Sequence, residues 1–288
     1  AVATSGVREA QNGEVLVERA AREAGIKLEI IEGVEEARLV LVGTLAYAGR
    51  MRESFTAAEA AFEAAQEHFT PRSYTFQSVA EAYMMAALNV GDVAAMERTL
   101  AHLRSTPELQ SPGDSPFALR VDIIELMLLE LQGRHEELLR RISALEPSVA
   151  ERPHDEGRQE LDVLTARSLF LLGRHTEVQQ VLARPSVQLR FAKQGLDGDL
   201  DVDLVVLGAL TGAPPPQGRT WSELATSIRA PTLTDRMLIA AVSAVEANAE
   251  ATATVRRARD ELAASCNDRD ADVRVLDAWL ANPERPPP

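Results

Sequence analysis

The chain has 288 residues, enough to bury a large core, and 45% of them are hydrophobic, which excludes general disorder. Aromatic residues make up only 4%, so we expect a mainly α-helical protein whose core is built from many small contacts between helices. The 44 acidic and 30 basic residues give a net charge of −14, which argues against nucleic acid as a partner.

Residues 1–45 predict a short helix–strand–helix segment. "VREAQNGEVLVERAAREAG" has helical spacing that ends at a glycine, "IKLEII" is β-branched like a strand, and "GVEEARLVLVGTLAYAG" returns to a helical pattern. A strand needs a neighbour for its backbone groups, and the sequence offers no second strand beside this one. We therefore separate residues 1–45 from the remainder of the chain.

Residues 46–281 repeat one pattern, in which a glycine ends an apolar helical stretch and a second such stretch follows. The phrases "AYAGRMRES", "LNVGDVAAM", "ELQGRHEEL" and "FLLGRHTEV" place these glycines 42, 42 and 40 residues apart, at Gly49, Gly91, Gly133 and Gly173. A looser copy has Gly212. Glycine at a helix end allows a left-handed turn, so the repeating unit is predicted to be helix, tight turn, helix.

The second helix of each unit is predicted to bury one face. Positions five, nine and twelve residues after the glycine share a helix face. These positions hold Ser54, Ala58 and Ala61; Met96, Leu100 and Leu103; Leu138, Ile142 and Leu145; and Val178, Leu182 and Pro185. Pro107, Pro147 and Pro185 are predicted to stop the second helices, because proline cannot donate the helical hydrogen bond.

The end of the chain predicts one more hairpin and a final helix. Residues 235–266 have two helical stretches with Asn248 in the place of the turn glycine. "DADVRVLDAWLA" at 270–281 predicts a capping helix whose Trp279 covers the open end of the core. Residues 282–288, "NPERPPP", are predicted to be a disordered tail.

The glycine, apolar and proline positions over residues 40–265 resemble the tetratricopeptide repeat family. The interval is longer than the about 34 residues of that family, which the polar loops at 105–116 and 146–157 account for. The resemblance implies a right-handed α-solenoid with a groove, lined mainly by the first helix of each repeat, that holds a peptide or helix of a partner protein. The acidic composition favours a partner segment that carries lysine or arginine.

The N-terminal stretches "ATSGVREAQNG" and "LEIIEGVEEARLVLVG" resemble the exopolyphosphatase and guanosine pentaphosphate phosphohydrolase (Ppx/GppA) family. The resemblance implies that Arg8 contacts phosphate and that Glu36 deprotonates a water for attack on a terminal phosphorus, with Mg²⁺ as cofactor. The sequence departs from the family pattern at Glu32, where serine is usual, and at Val34, where a polar residue is common.

The resemblance also implies two glycine-rich phosphate loops, and the chain has no Gly-Gly dipeptide and no such loop before residue 3. We therefore expect a non-catalytic scaffold that uses no cofactor. The alternative is a remnant or part of a phosphohydrolase that removes terminal phosphates with Mg²⁺. The identity of the partner, the oligomeric state, a phosphatase portion upstream of Ala1 and the origin of the join near residue 45 stay open.

Two possible metal sites are set aside on the sequence. "DGDLDVDL" spaces its aspartates like a calcium loop, but Val202 stands in the place of the turn glycine and Gly208 in the place of the bidentate glutamate, so we expect a solvated acidic loop at Asp197, Asp199 and Asp201. His135 and His175 share one repeat position, and no thiolate or carboxylate recurs with them.

The cysteine content and hydropathy predict a cytoplasmic protein. Cys266 is the only cysteine, so the chain cannot form an internal disulfide and fits a reducing compartment. The sequence has no apolar run of membrane-spanning length, and its first residues lack the build of a signal peptide. We therefore expect no membrane partner.

Overall fold

In the computed structural model the chain is mainly helical. The residues that the structure describes are 2–3, 10, 12–25, 29–30, 33–106, 116–150, 157–192, 196–197, 199–229, 231, 233–247, 250–265 and 271–283. The chain divides into two compact units, residues 1–121 and residues 122–288. Within the described residues, every helix is too short or too polar to cross a bilayer.

The first unit contains the helices α1 (Gly13–Ala24), α2 (Gly33–Tyr47), α3 (Met51–His68), α4 (Tyr74–Val90) and α5 (Val93–Ser105). The division between the units falls inside α6 (Pro116–Leu131). The second unit continues with α7 (His135–Ala150), α8 (Arg158–Leu171), α9 (His175–Leu182), α10 (Pro185–Phe191), α11 (Asp199–Thr211), α12 (Trp221–Thr226), α13 (Leu233–Ala247), α14 (Ala251–Ser265) and α15 (Ala271–Leu280).

Four strands of two residues form two parallel pairs. β1 (Val2–Ala3) pairs with β2 (Glu29–Ile30), with Val2 opposite Glu29. β3 (Leu196–Asp197) pairs with β4 (Ile228–Arg229). The expectation that the N-terminal strand has no neighbour is therefore wrong, because the first residues of the chain provide one.

The first unit is built from helices that pack on their sequence neighbours. α3 packs against α2 and α4, and α4 also packs against α2 and α5. Gly49 and Gly91 end helices at φ 74° and 71°, the left-handed region that favours glycine. After the first turn Ser54, Ala58 and Ala61 are buried, and the Ser54 hydroxyl donates to the Val42 carbonyl at 2.9 Å.

The predicted buried face of the second helices is confirmed at most positions. Met96, Leu100, Leu103, Leu138, Ile142, Val178 and Leu182 are all buried. Two positions differ: Leu145 is half-buried, and Pro185 is exposed because it begins the separate helix α10. Pro147 does not stop α7, which continues to Ala150. The residue four positions before Pro147 is exposed, so water can replace the missing backbone donor there.

Four aromatic side chains of the first unit form one cluster. Phe62 stacks on Tyr83 at 5.0 Å between ring centroids, and Phe55 stacks on the same tyrosine at 5.6 Å. Phe76 packs on Phe62 at 5.9 Å. Four rings therefore pack together between α3 and α4, although the aromatic content of the chain is only 4%.

The second unit has a regular pattern of helix contacts. α8 packs against α7, α9 and α11, α11 packs against α9, α12 and α13, and α13 packs against α12 and α14. We call α6, α8, α11 and α13 the first helices, and α7, α9, α12 and α14 the second helices, after their order in each hairpin. The C-terminal helix α15 packs against α14 and also against α8.

The backbone of α11 at Gly208 packs directly against the Trp221 ring of α12. A Cβ atom at Gly208 would lie 2.3 Å from the Trp221 ring, so this position requires glycine. Trp221 is buried, and its indole N–H donates to the Ala213 carbonyl at 2.8 Å. Phe191 meets the same ring edge-on at 5.7 Å, which adds α10 to this part of the core.

Candidate interaction site

The residues that the phosphohydrolase resemblance singled out are only partly described. Glu36 lies in α2, but its side chain lies outside the described residues, as does the whole of Arg8. The turn residues Gly133 and Gly173 both have φ 73° and lie between the first and second helices of their hairpins. Cys266 also lies outside the described residues.

The prediction of a solvated acidic loop at residues 197–201 is wrong, because Asp199 and Asp201 lie in a helix and Asp201 is buried. Asp199 begins α11, and Asp201 lies within this helix as a buried residue. The Asp201 carboxylate forms an ion pair with Arg190 of α10, and both side chains are only 7% exposed. The remainder of α11 is strongly apolar, so the helix is buried and the Asp201 carboxylate needs a cation beside it. Among the described residues, no group of histidine, cysteine and acidic side chains could hold a metal ion.

The two repeat histidines lie in different surroundings. His135 Nδ1 lies 3.3 Å from the Ser168 hydroxyl oxygen. Burial lowers the pKa of His135, and the charge of Arg274 lowers it further. The ring of His175 instead meets the Phe170 ring edge-on at 5.1 Å between centroids.

One largely buried arginine of α8 contacts three other helices of the second unit. Arg167 of α8 donates through Nε and Nη2 to the Glu130 carboxylate of α6, at 2.9 and 2.8 Å. Its Nη1 donates to Asp203 of α11 at 3.2 Å and lies 3.8 Å from Asp272 of α15. The Arg167, Glu130 and Asp203 side chains are 13%, 4% and 9% exposed. We call these four residues the Arg167 cluster.

A second arginine reaches the same place from α15. Arg274 donates through Nη1 to the Glu130 carbonyl at 2.7 Å and through Nη2 to the Leu131 carbonyl. These carbonyls belong to the last turn of α6, where helical donors run out and the helix dipole is negative. Gly133 ends α6 at this point, so the turn presents those carbonyls to Arg274.

The Arg167 cluster places three carboxyl groups around one guanidinium. The Asp272 side chain is 26% exposed, more than those of Arg167, Glu130 and Asp203. Burial first, and then the charge of Asp203, raise the pKa of Asp272 well above its usual value. Burial opposes the charge of Arg167, but Glu130, Asp203 and Asp272 outweigh it and raise the pKa of Arg167. Asp272 therefore keeps its proton to a higher pH than an ordinary aspartate does.

Two acidic residues within apolar stretches indicate the Arg167 cluster in the sequence, but the helical pattern alone did not predict it. Glu130 stands in "LMLLEL" and Asp203 in "DVDLVVL", where each carboxylate interrupts an apolar run. A charge that cannot avoid burial needs a paired partner, so such interruptions predict a buried cation. The sequence does not show which of the 30 basic residues supplies it.

A groove of about 480 Å³ lies between α7, α8 and α9. Its apolar lining includes Leu139, Ile142, Leu169 and Val181. Its charged lining consists of Glu136, Arg140, Glu146, Arg174, Glu177 and Arg184. Arg174 pairs with Glu177 at 2.6 Å, and Arg184 pairs with Asp162 at 2.8 Å. The lining of the groove thus combines apolar side chains with charges of both signs.

The position of this groove differs from the expectation. The sequence placed the groove on the first helices, but the cavity is lined mainly by the second helices α7 and α9. In this unit a different element, α15, packs on the first helix α8. The face that was expected to be open is therefore partly covered by the chain itself.

The comparison with protein families matches residues 1–54 to the Ppx/GppA phosphatase family. This match confirms the N-terminal resemblance, and it covers 54 of the 288 residues. The comparisons with curated proteins and with solved structures returned no match. The similarity is thus that of a fragment joined to a longer helical region.

The raised pKa of Asp272 predicts that the free energy of unfolding depends on pH. Between the usual aspartate pKa and the raised pKa of Asp272, the folded chain holds a proton that the unfolded chain has released. The free energy of unfolding therefore falls as pH rises through this interval. Asp272→Asn cannot ionise, so its urea midpoint should depend less on pH and should exceed that of the wild type above the interval.

Tryptophan fluorescence in urea at several pH values measures this effect, since Trp221 and Trp279 both lie in the second unit. Asp260→Asn on α14 is the matched control, because the Asp260 side chain is 63% exposed. Equal pH slopes for the wild type and Asp272→Asn would contradict the assignment of the proton.

Proposed function

We propose that the protein is a non-catalytic helical-repeat scaffold that binds a peptide or helical segment of a partner protein. The support is the contact pattern of the second unit, in which first helices pack on one another and on the second helices between them. Stacked hairpins of this kind, like those of the tetratricopeptide repeat family, form solenoids with extended binding surfaces. We place this activity in the cytoplasm because the single cysteine fits a reducing compartment.

The groove between α7, α8 and α9 is the proposed binding place. Ile142, Leu169 and Val181 are already buried, so Leu139, which is half-buried, is the apolar residue that a bound segment can cover. The charged residues that line the groove can fix the register of that segment through ion pairs. The Glu136 side chain lies 3.7 Å from Arg174 but is 70% exposed, so it can also meet an incoming cation.

The proposed partner segment carries lysine or arginine. The chain has a net charge of −14, so a basic segment is attracted over a long range and an acidic one is repelled. Glu136, Glu146 and Glu177 supply carboxylates at the rim for such a segment. Because these contacts are exposed, salt should weaken the complex.

Filling the groove should abolish this binding. Ser143 lines the groove and is exposed, so Ser143→Trp places a large ring in the groove without disturbing the core. Random peptides displayed on phage are selected on the wild-type chain, and their affinities for each variant are measured by fluorescence anisotropy. We expect peptides rich in lysine or arginine, and an affinity loss of about ten-fold or more for Ser143→Trp.

Ala144→Trp is the matched control, since Ala144 is exposed on the same helix and does not line the groove. Its affinity for the selected peptides should equal that of the wild type. Selected peptides that bind Ser143→Trp as tightly as the wild type would place recognition elsewhere. Failure to select any peptide would contradict the scaffold proposal.

A second candidate is a polyphosphate or guanosine pentaphosphate phosphohydrolase that uses Mg²⁺. The match of residues 1–54 to the Ppx/GppA phosphatase family favours it. In this function Glu36 would activate the attacking water and Arg8 would contact phosphate, as the resemblance implies. Its support is limited to residues 1–54 of the 288.

Phosphate release from polyphosphate with Mg²⁺ separates the two functions. The scaffold proposal predicts no release that depends on Glu36. Wild type, Glu36→Gln and the neighbouring control Glu35→Gln are compared in a phosphate assay. Release that is lost in Glu36→Gln and kept in Glu35→Gln would establish the phosphohydrolase and overturn the scaffold proposal.

A further inference from the structure

Two of the three arginines that line the groove between α7, α8 and α9 are paired with carboxylates. Arg174 pairs with Glu177 at 2.6 Å, and Arg184 pairs with Asp162 at 2.8 Å. The third, Arg140, is exposed and has no ion-pair partner among the residues that the structure describes. A ligand can therefore match the charge of Arg140 without breaking an ion pair of the chain.

The acidic neighbours of Arg140 on α7 lie beside other arginines. Residues three and four positions apart on a helix can form ion pairs, and those before Arg140 are Glu137 and Glu136. Glu137 accepts a hydrogen bond from Nε of Arg134 at 2.9 Å, whereas Glu136 lies 3.7 Å from Arg174. The positions three and four residues after Arg140 are uncharged. Both carboxylates within reach on α7 are thus engaged elsewhere.

The guanidinium of Arg140 suits a carboxylate of the bound segment. Its planar fork can donate two parallel hydrogen bonds to one carboxylate. A lysine or arginine of the segment is repelled there and is attracted to the exposed Glu136, about one helical turn earlier on α7. The acidic and basic groups of the segment then lie about 6 Å apart, the spacing of residues four positions apart in a helix or two apart in an extended segment.

We propose that Arg140 is a specificity-determining residue of the groove and selects a partner segment that carries one aspartate or glutamate at this spacing from a lysine or arginine. This inference rests on the proposed binding function and deepens it, because it adds one acidic side chain to a segment that is otherwise basic. The acidic side chain pairs with Arg140 while the basic one approaches Glu136. A segment with basic side chains alone leaves Arg140 unmatched.

Charge reversal at Arg140 tests this selection. The affinities of the phage-selected peptides are measured by fluorescence anisotropy on the wild type and on Arg140→Glu. Binding should weaken about five-fold or more, because an ion pair at an exposed arginine is lost and repulsion of the peptide carboxylate replaces it. Arg140→Gln removes the charge without adding one and should weaken binding by a smaller factor.

Arg257→Glu is the matched control, since Arg257 is exposed on α14 and does not line the groove. It changes the net charge of the chain by the same amount as Arg140→Glu. A more acidic chain attracts a basic peptide more strongly, so net charge alone cannot weaken binding. Arg257→Glu should therefore bind the selected peptides at least as tightly as the wild type does.

Changes in the peptide test the same contact on the wild-type chain, without reliance on the folding of a variant. Replacement of the peptide's aspartate by asparagine, or of its glutamate by glutamine, should weaken binding to the wild type about three-fold or more. The same replacement should not weaken binding to Arg140→Glu, because the carboxylate no longer has its cation there. Amidation of the peptide C-terminus should have no effect, since the proposed carboxylate belongs to a side chain.

The outcomes separate this proposal from the binding function on which it rests. Selected peptides without an acidic residue, or equal affinities for the wild type and Arg140→Glu, would overturn the role of Arg140. Binding in the groove would still stand if Ser143→Trp abolished it. Loss of binding on amidation, with none on replacement of the acidic side chain, would also overturn the proposal. If Ser143→Trp has no effect, the groove and the role of Arg140 fail together.

Discussion

The second unit contains a charge cluster centred on one largely buried cation, Arg167. Arg167 forms ion pairs with α6 and α11 and lies beside α15, so a single guanidinium joins helices that are far apart in the sequence. Its planar fork can donate to two carboxylates at once, which a lysine ammonium cannot do with the same geometry. Arg167 offsets part of the cost of burying the Glu130 and Asp203 carboxylates. Burial and the neighbouring Asp203 raise the pKa of Asp272, the third carboxyl group of this cluster.

The helical part of the fold could be predicted because its causes are local. Gly49, Gly91, Gly133 and Gly173 each stand at a position with positive φ, and the apolar residues after them form a buried helix face. Pro147 was misinterpreted, because a proline near the end of a helix removes only one backbone donor, and α7 continues past it. Asp201 was predicted to be solvated but is buried and paired with Arg190. Residue type alone does not distinguish a solvated carboxylate from a paired one.

The contacts of α15 could not be predicted from the sequence. Arg274 meets carbonyls of residues more than 140 positions earlier, and no periodicity in the chain encodes that distance. Val273, Val275 and Leu276 indicate an amphipathic helix but not the face that receives it. The pairing of Val2–Ala3 with Glu29–Ile30 is similar, because two-residue strands are too short to give a pattern.

The Ppx/GppA similarity and the proposed binding groove belong to different parts of the chain. The family match ends at residue 54, whereas the groove and the Arg167 cluster lie in residues 122–288. Phosphate chemistry would need backbone amides arranged around an anion. The groove is lined by apolar side chains and by charges of both signs, as the proposed binding of a polypeptide segment requires.

The measurement that tests the account most directly is the urea unfolding of Arg167→Met, followed by tryptophan fluorescence. Methionine keeps much of the side-chain volume but leaves Glu130 and Asp203 without their cation, so the free energy of unfolding should fall by about 3–5 kcal/mol. Arg257→Met on α14 removes an exposed arginine and should change it by less than about 0.5 kcal/mol. An Arg167→Met chain as stable as this control would show that the buried cation does not hold the unit together.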